Sequence, residues 1–314
     1  MIKRLIFAVI LASTVVTAAH AQAISWTNTP VEILQPVDDD IGRHAGDARY
    51  FHGIDISEVR FTENGFAWHV IRFTNAAKPV GPLWVTPHDD ENAAFEAMIA
   101  AIREHGGSGL AVNSGPGSSR NQSGEGRCGV VARKVASCDP NRNFGAATPI
   151  FTAVFLGQHI KDQPVIALHT NGLGFAADGS EGRGNITMLD RAAYRRGIFA
   201  PRSGGLFAVQ PQMVMANYDS FGITAFLAKN GGPSAEAARC GRALADAGIH
   251  FWHEPVSKSD GSMSNYLVVH QPEIRYFNAE SRHESSLDVA AARHRIMAAA
   301  YLSNCVPSGN QPAP

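Results

Sequence analysis

The chain has 314 residues, with 27 Lys+Arg against 28 Asp+Glu, a formal net charge of -1 and 45% hydrophobic residues. This balance, with no run of Lys or Arg, excludes the electrostatic footprint of a nucleic-acid or anionic-membrane binder. It leaves a chain able to bury a substantial core, as one large α/β domain or two small ones, whose substrate is small or a polymer of small units.

The first residues read as a secretory signal: a basic start at Lys3 and Arg4, an apolar run from Leu5 to about Val16, and small residues Ala19 and Ala21 around His20. Cleavage is expected after Ala21. The expected location is therefore secreted or periplasmic, without stable membrane insertion, since no later stretch offers roughly 18 uninterrupted apolar residues. Export into an oxidising compartment makes disulfides the natural state of the four cysteines. Of the three possible pairings, Cys128 with Cys138 and Cys240 with Cys305 is favoured, the first closing a polar loop and the second tying the last helix to an earlier one. No C-x-x-C pair is present to grip a metal.

Residues 22–80 read as an N-terminal β segment packed on a main domain. "VEIL" is expected as a short strand, and "ISEVRFTENGFAWHVIRFT" as an antiparallel hairpin turning at Glu63-Asn64-Gly65. From residue 81 to 306 apolar strands alternate with helices. "PLWVT", "GLAVN", "PVIALHT", "GLFAVQ", "MVMANY", "FWHEPV", "NYLVVHQ" and "IRYFNAE" are read as strands. Helices are expected from about Glu91 to His105, over "TPIFTAVFLGQHI", over "SAEAARCGRALADAG", and from Ser286 to about Asn304. Such alternation predicts a mixed, mostly parallel sheet sandwiched by helices. Residues 307–314 read as a disordered tail.

In open α/β sheets, sites form where strand ends meet loops. Three chemistry-bearing side chains stand at such ends: His88 after "PLWVT", His169 ending "PVIAL", and Glu280 ending "IRYFNA". His88 and Glu91, three apart at a helix start, can reach one ion. The acids Asp89, Asp90 and Glu91 are equally what a helix N-terminus favours without any metal. With His169 they complete two His and one Glu, a set used by catalytic zinc with one position left open. In "SCDPNRNF", Arg142 offers a planar fork and Asn141 an amide, a pair suited to a substrate carboxylate; the same stretch is also ordinary turn chemistry.

His88-x-x-Glu91, Asp139-x-Asn141-Arg142-x-Phe144, Leu168-His169-Thr170 and a strand ending in Glu280 together resemble the zinc carboxypeptidase superfamily, including its succinylglutamate desuccinylase and aspartoacylase branch. The likeness runs from about Pro82 to His283, and the D-x-N-R-N-F element is its most specific part. It implies one Zn2+ on His88, Glu91 and His169, a carboxylate clamp at Asn141 and Arg142, and Glu280 as general base, with Glu284 as the competing candidate. It also implies a carbonyl-polarising arginine, for which Arg120, Arg127 and Arg133 compete and Arg127 is preferred, and a tyrosine over the substrate, assigned to Tyr266. "LHT" is similar to the deacylases and "NRNF" to the peptidases. The implied activity is an exported zinc amide hydrolase: a metallocarboxypeptidase on peptides with a free carboxylate, a deacylase of N-acyl amino acids, or, in another class, a catalytically silent periplasmic binding protein.

Three other stretches carry less. "NSGPGSS" lacks the G-x-S-x-G nucleophile elbow. The "GLGFAADGSEGRGN" loop lacks the lysine and context of a phosphate loop. His250 and His253 alternate with aromatic residues, as an ordinary strand does.

Overall fold

The computed structural model describes residues 24–47, 49–115, 127–129, 138–171, 198–199, 213–217, 235–254, 258–282 and 286–306. The leader, the "GLFAVQ" strand, the glycine-rich loop after Asn171 and the tail lie outside these residues, as do Arg120, Arg133 and Glu284.

After β1 (Thr27–Asn28) the chain forms two short helices, α1 (Val31–Leu34) and α2 (Asp39–Gly42). The strand expected over "VEIL" is thus a helical turn. A four-residue apolar run carries too little periodicity to separate the two. Pro30 supplies a φ of -56° just before the turn, and Glu32 lies in its first turn. Asp38 caps α2, its carboxylate accepting from the Ile41 amide at 2.8 Å.

β2 (Ile54–Glu63) and β3 (Phe66–Asn75) form the expected hairpin. Asn64 and Gly65 both have positive φ, 54° and 72°, as a two-residue turn matched to strand twist requires. There follow β4 (Leu83–Thr86), α3 (Asn92–His105), β5 (Ser108–Val112), α4 (Pro149–Leu156), β6 (Val165–Asn171), β7 (Ile198–Phe199) and β8 (Met213–Asn217). The chain closes with α5 (Ala235–Asp246), β9 (His250–Glu254), α6 (Met263–His270), β10 (Tyr276–Arg282) and α7 (Leu287–Cys305). A second expected strand, "NYLVVHQ", is helix α6. Its buried residues Met263, Ser264, Leu267 and Val268 follow helical spacing, and Ser262 caps it through the Asn265 amide. The β-branched pair Val268-Val269 pointed toward strand, and the cap together with packing outweighed it.

The described strands form one ten-stranded mixed sheet in the order β1-β2-β3-β5-β4-β6-β10-β8-β9-β7. Its centre, β5-β4-β6-β10, is parallel; β1, β2 and β3 join it antiparallel, and β8 runs antiparallel to β10. Because side chains alternate along a strand, both faces are apolar. Trp84, Ile166, Leu168 and Phe277 pack with α3, α5 and α7, while Leu83, Val85, Val165 and Ala167 pack with α4 and α6. Disulfides join Cys128 to Cys138 and Cys240 to Cys305, the pairing favoured from the sequence. No helix among the described residues is long and apolar enough to cross a membrane.

One topological feature positions the site. From β4 the chain moves through α3 to β5 on one side, while β6 occupies the other side. A crevice opens at the carboxyl end of a strand where the order reverses in this way. His88 lies just beyond the end of β4, and parallel pairing sets Glu280 of β10 beside His169 of β6.

Candidate metal centre

His88 leaves β4 and turns back over Glu91, which occupies the N-cap position of α3 with φ -88° and ψ 57°. Glu91 makes no side-chain cap bond to that helix. Its carboxylate turns instead to the two histidines. His88 Nδ1 lies 3.1 Å from Glu91 Oε1 and 3.1 Å from His169 Nδ1, and His169 Nδ1 lies 3.4 Å from Glu91 Oε2. Donors about 2.0–2.1 Å from a tetrahedral ion sit about 3.3–3.4 Å from one another. The His88–His169 separation and the approach of one Glu91 oxygen to each histidine are of that order. These are also the residues of the His/Glu group that could hold a metal ion among the described residues.

The charges agree with the distances. Burial alone would lower the pKa of His88, but the carboxylates of Glu91 and Asp139 overcome it and raise the imidazole to about 10. Burial would raise Glu91; His88 and His169 outweigh it and hold the carboxyl at about 2. Without an ion, the two carboxylates are thus balanced in part by a protonated His88, and a cation bound here would take that proton's place.

Asp139, which closes the back of the site, is the residue that sequence reasoning quoted without giving it a role. Its Oδ1 lies 2.9 Å from His88 Nε2, which leaves Nδ1 for the ligand group. The same oxygen accepts from the Asn141 amide at 2.8 Å, and Asp139 follows the disulfide-bonded Cys138. The carboxylate is therefore fixed before any ligand arrives. The available signal was an Asp opening a turn beside a cystine.

Glu280 is 7% exposed, and its Oε1 accepts from the Asn278 amide at 2.9 Å. Burial raises its pKa above the ordinary carboxyl value; His169 opposes this and Glu91 adds to it. His294, which carried no signal in the sequence, is fully buried on α7 with Nε2 3.2 Å from Thr170 Oγ1. Burial lowers its pKa to about 3, so it pins the end of β6 as a neutral imidazole.

The remaining site residues fall into two groups. Arg142 and Arg127 lie together: Arg127 Nε donates to the Arg142 carbonyl at 3.3 Å, and Arg142 Nη1 lies 3.5 Å from Asp139 Oδ2. Asn141 turns its Oδ1 to the amide of Met263 at 3.1 Å, so that atom joins the loop to α6. Tyr266 is placed by α6, with its ring 4.8 Å from that of His270 and its apolar side on the α4/α6 core. The structure thus brings His88, Glu91, His169, Asp139 and Glu280 into one cluster, with Arg142 bordering it through Asp139. The described contacts of Tyr266 run elsewhere.

No protein-family profile and no curated protein matches the chain. Among solved structures, it is similar to a "putative metallopeptidase" from Shewanella denitrificans OS217, at 11% identity over 85% of this chain and 90% of that one, with a TM-score of 0.42. A second "putative metallopeptidase", from Shewanella amazonensis SB2B, is 10% identical over 90% of this chain and 99% of that one, with a TM-score of 0.42. An aspartoacylase family protein from Mesorhizobium loti is 11% identical over 79% of this chain and 67% of that one, with a TM-score of 0.38.

Proposed function

We propose that the protein is an exported zinc-dependent amide hydrolase, a metallocarboxypeptidase acting on peptides with a free carboxylate. The observation that carries this reading is the convergence of His88 Nδ1, the Glu91 carboxylate and His169 Nδ1 to within 3.4 Å of one another, with Glu280 in register beside them. Two His and one Glu are a hydrolytic zinc set, and the donors lack the thiolates of structural zinc sites. A zinc ion held there supplies Lewis acidity and lowers the pKa of water toward neutrality.

In this reading Glu280 accepts the proton of the attacking water and returns it to the leaving nitrogen. Asn278 orients that carboxylate through its 2.9 Å hydrogen bond. Asp139 holds His88 in the tautomer that frees Nδ1. Arg142 binds the substrate carboxylate, with Asn141 anchoring its loop, and Arg127 is assigned to the developing oxyanion. Tyr266 is proposed to border the substrate from α6. Cleavage of a leader near Ala21 places the enzyme in the periplasm or outside the cell, in keeping with two disulfides. There, cell-wall stem peptides offer free carboxylates.

The test is elemental mass spectrometry of the purified mature protein, followed by hydrolysis assays on peptides and on N-acyl amino acids. About one zinc per chain with release of C-terminal residues supports the reading. Turnover of N-acyl amino acids alone moves it to the deacylases. A folded protein that takes up no zinc overturns it and leaves the binding protein.

A further inference from the structure

The proposed carboxylate clamp carries an acid of its own. Arg142 Nε lies 3.6 Å from Asp260 Oδ2, and both side chains are partly open, at 36% and 47% exposure. Three ties hold Asp260 against the clamp. The Phe144 amide donates to the Gly261 carbonyl at 2.8 Å, and Asn141 Oδ1 accepts from the Met263 amide at 3.1 Å. Gly261, with φ +91°, lies so close that a Cβ there would stand 2.5 Å from the Arg142 carbonyl oxygen. The 259–262 and 139–145 segments are thus locked face to face. Asp260 Oδ1 is already occupied, accepting from the amide and hydroxyl of Ser262 at 2.9 and 2.6 Å, which leaves Oδ2 toward Arg142 and solvent.

A lone substrate carboxylate is poorly served by this arrangement, because it must approach Arg142 against the charges of Asp260 on the open side and Asp139 on the buried one. A ligand that brings its own cation removes that repulsion and pairs both protein charges at once. We propose that this subsite takes a free α-amino acid head group, with Arg142 on its carboxylate and Asp260 on its ammonium. The substrate class is then amides whose amine half keeps a free α-amino and α-carboxyl group at its far end, such as diamino acids acylated on the side-chain nitrogen. In the reaction, water adds across the C–N bond, giving a carboxylic acid and the free diamino acid. The inference rests on the assignment of Arg142 above and makes Asp260 a specificity residue of the same site.

The test uses the full mature chain loaded with zinc and two probes, side-chain-acetylated lysine with its α-amine free and the same compound acetylated on both nitrogens, in both enantiomers. The expected result is a kcat/KM about tenfold higher for the free-amine probe, carried in KM. Asp260→Asn keeps the acceptor for Ser262 while removing the charge, and is expected to bring that ratio toward one; Asp260→Ala serves as a second replacement. Calorimetric binding of free lysine and α-N-acetyl-lysine to the same proteins is the readout independent of turnover. If neither probe is hydrolysed but free lysine binds better and Asp260→Asn abolishes the preference, the hydrolase reading fails and the head-group site stands. Equal turnover and equal binding of free and blocked amines, or a preference untouched in both Asp260 variants, overturns the proposal.

Discussion

His88 Nε2 and Asp139 Oδ1 lie 2.9 Å apart, joining the start of α3 to the disulfide-anchored loop 51 residues later. A ligand histidine whose second nitrogen is fixed in this way is oriented before it meets a metal. Asp139→Asn is expected to weaken zinc affinity by about 10- to 100-fold while the fold persists. His88→Ala and Glu91→Ala should lose zinc outright. Competition with a chromophoric chelator measures all three, and an unchanged affinity in Asp139→Asn refutes the orienting role.

In the proposed mechanism Glu280 moves a proton and does not hold the ion. Glu280→Gln preserves shape and should retain zinc at the wild-type level while kcat falls by about 10²- to 10⁴-fold. Elemental analysis and steady-state kinetics on one preparation decide this. Loss of zinc together with activity would make Glu280 a ligand instead.

Burial raises the Asp38 carboxyl to about 7, with Asp39 and Asp89 adding to the rise and Arg43 and the Ile41 amide opposing it. An unfolded Asp titrates near 3.9. Between about pH 4 and 7 the folded state therefore holds a proton that the unfolded state has released, and stability falls as pH rises through that window. Asp38→Asn keeps the cap on Ile41 and removes the charge. Its Tm should match wild type near pH 4 and exceed it by a few degrees at pH 8, as read by thermal melts at both pH values.

Cys240–Cys305 closes a loop of 65 residues between α5 and α7. Replacing both cysteines with Ser is expected to cost about 2–4 kcal/mol of stability. Denaturant unfolding of the double variant measures the loss. A change below 1 kcal/mol, about the size of a single ordinary substitution, would show that the helix packing alone secures this edge.

The sequence by itself determined the elements whose signal is local and repeated. The Asn64-Gly65 hairpin, α3, β6 and α7 lie where period and turn chemistry put them; His169 and Glu280, read as strand ends, sit two residues inside β6 and β10 and pair side by side there. It failed on Val31–Leu34 and Met263–His270, where short apolar runs left the choice to a proline, a serine cap and the packing around them. Only the tertiary structure decided which nitrogen of His88 faces Glu91 and His169, that Asp139 takes the other, that the Glu91 side chain does not cap its own helix, and that Asp260 stands beside Arg142. These are relationships between groups far apart along the chain, set by strand order and loop locking, and no local periodicity encodes them.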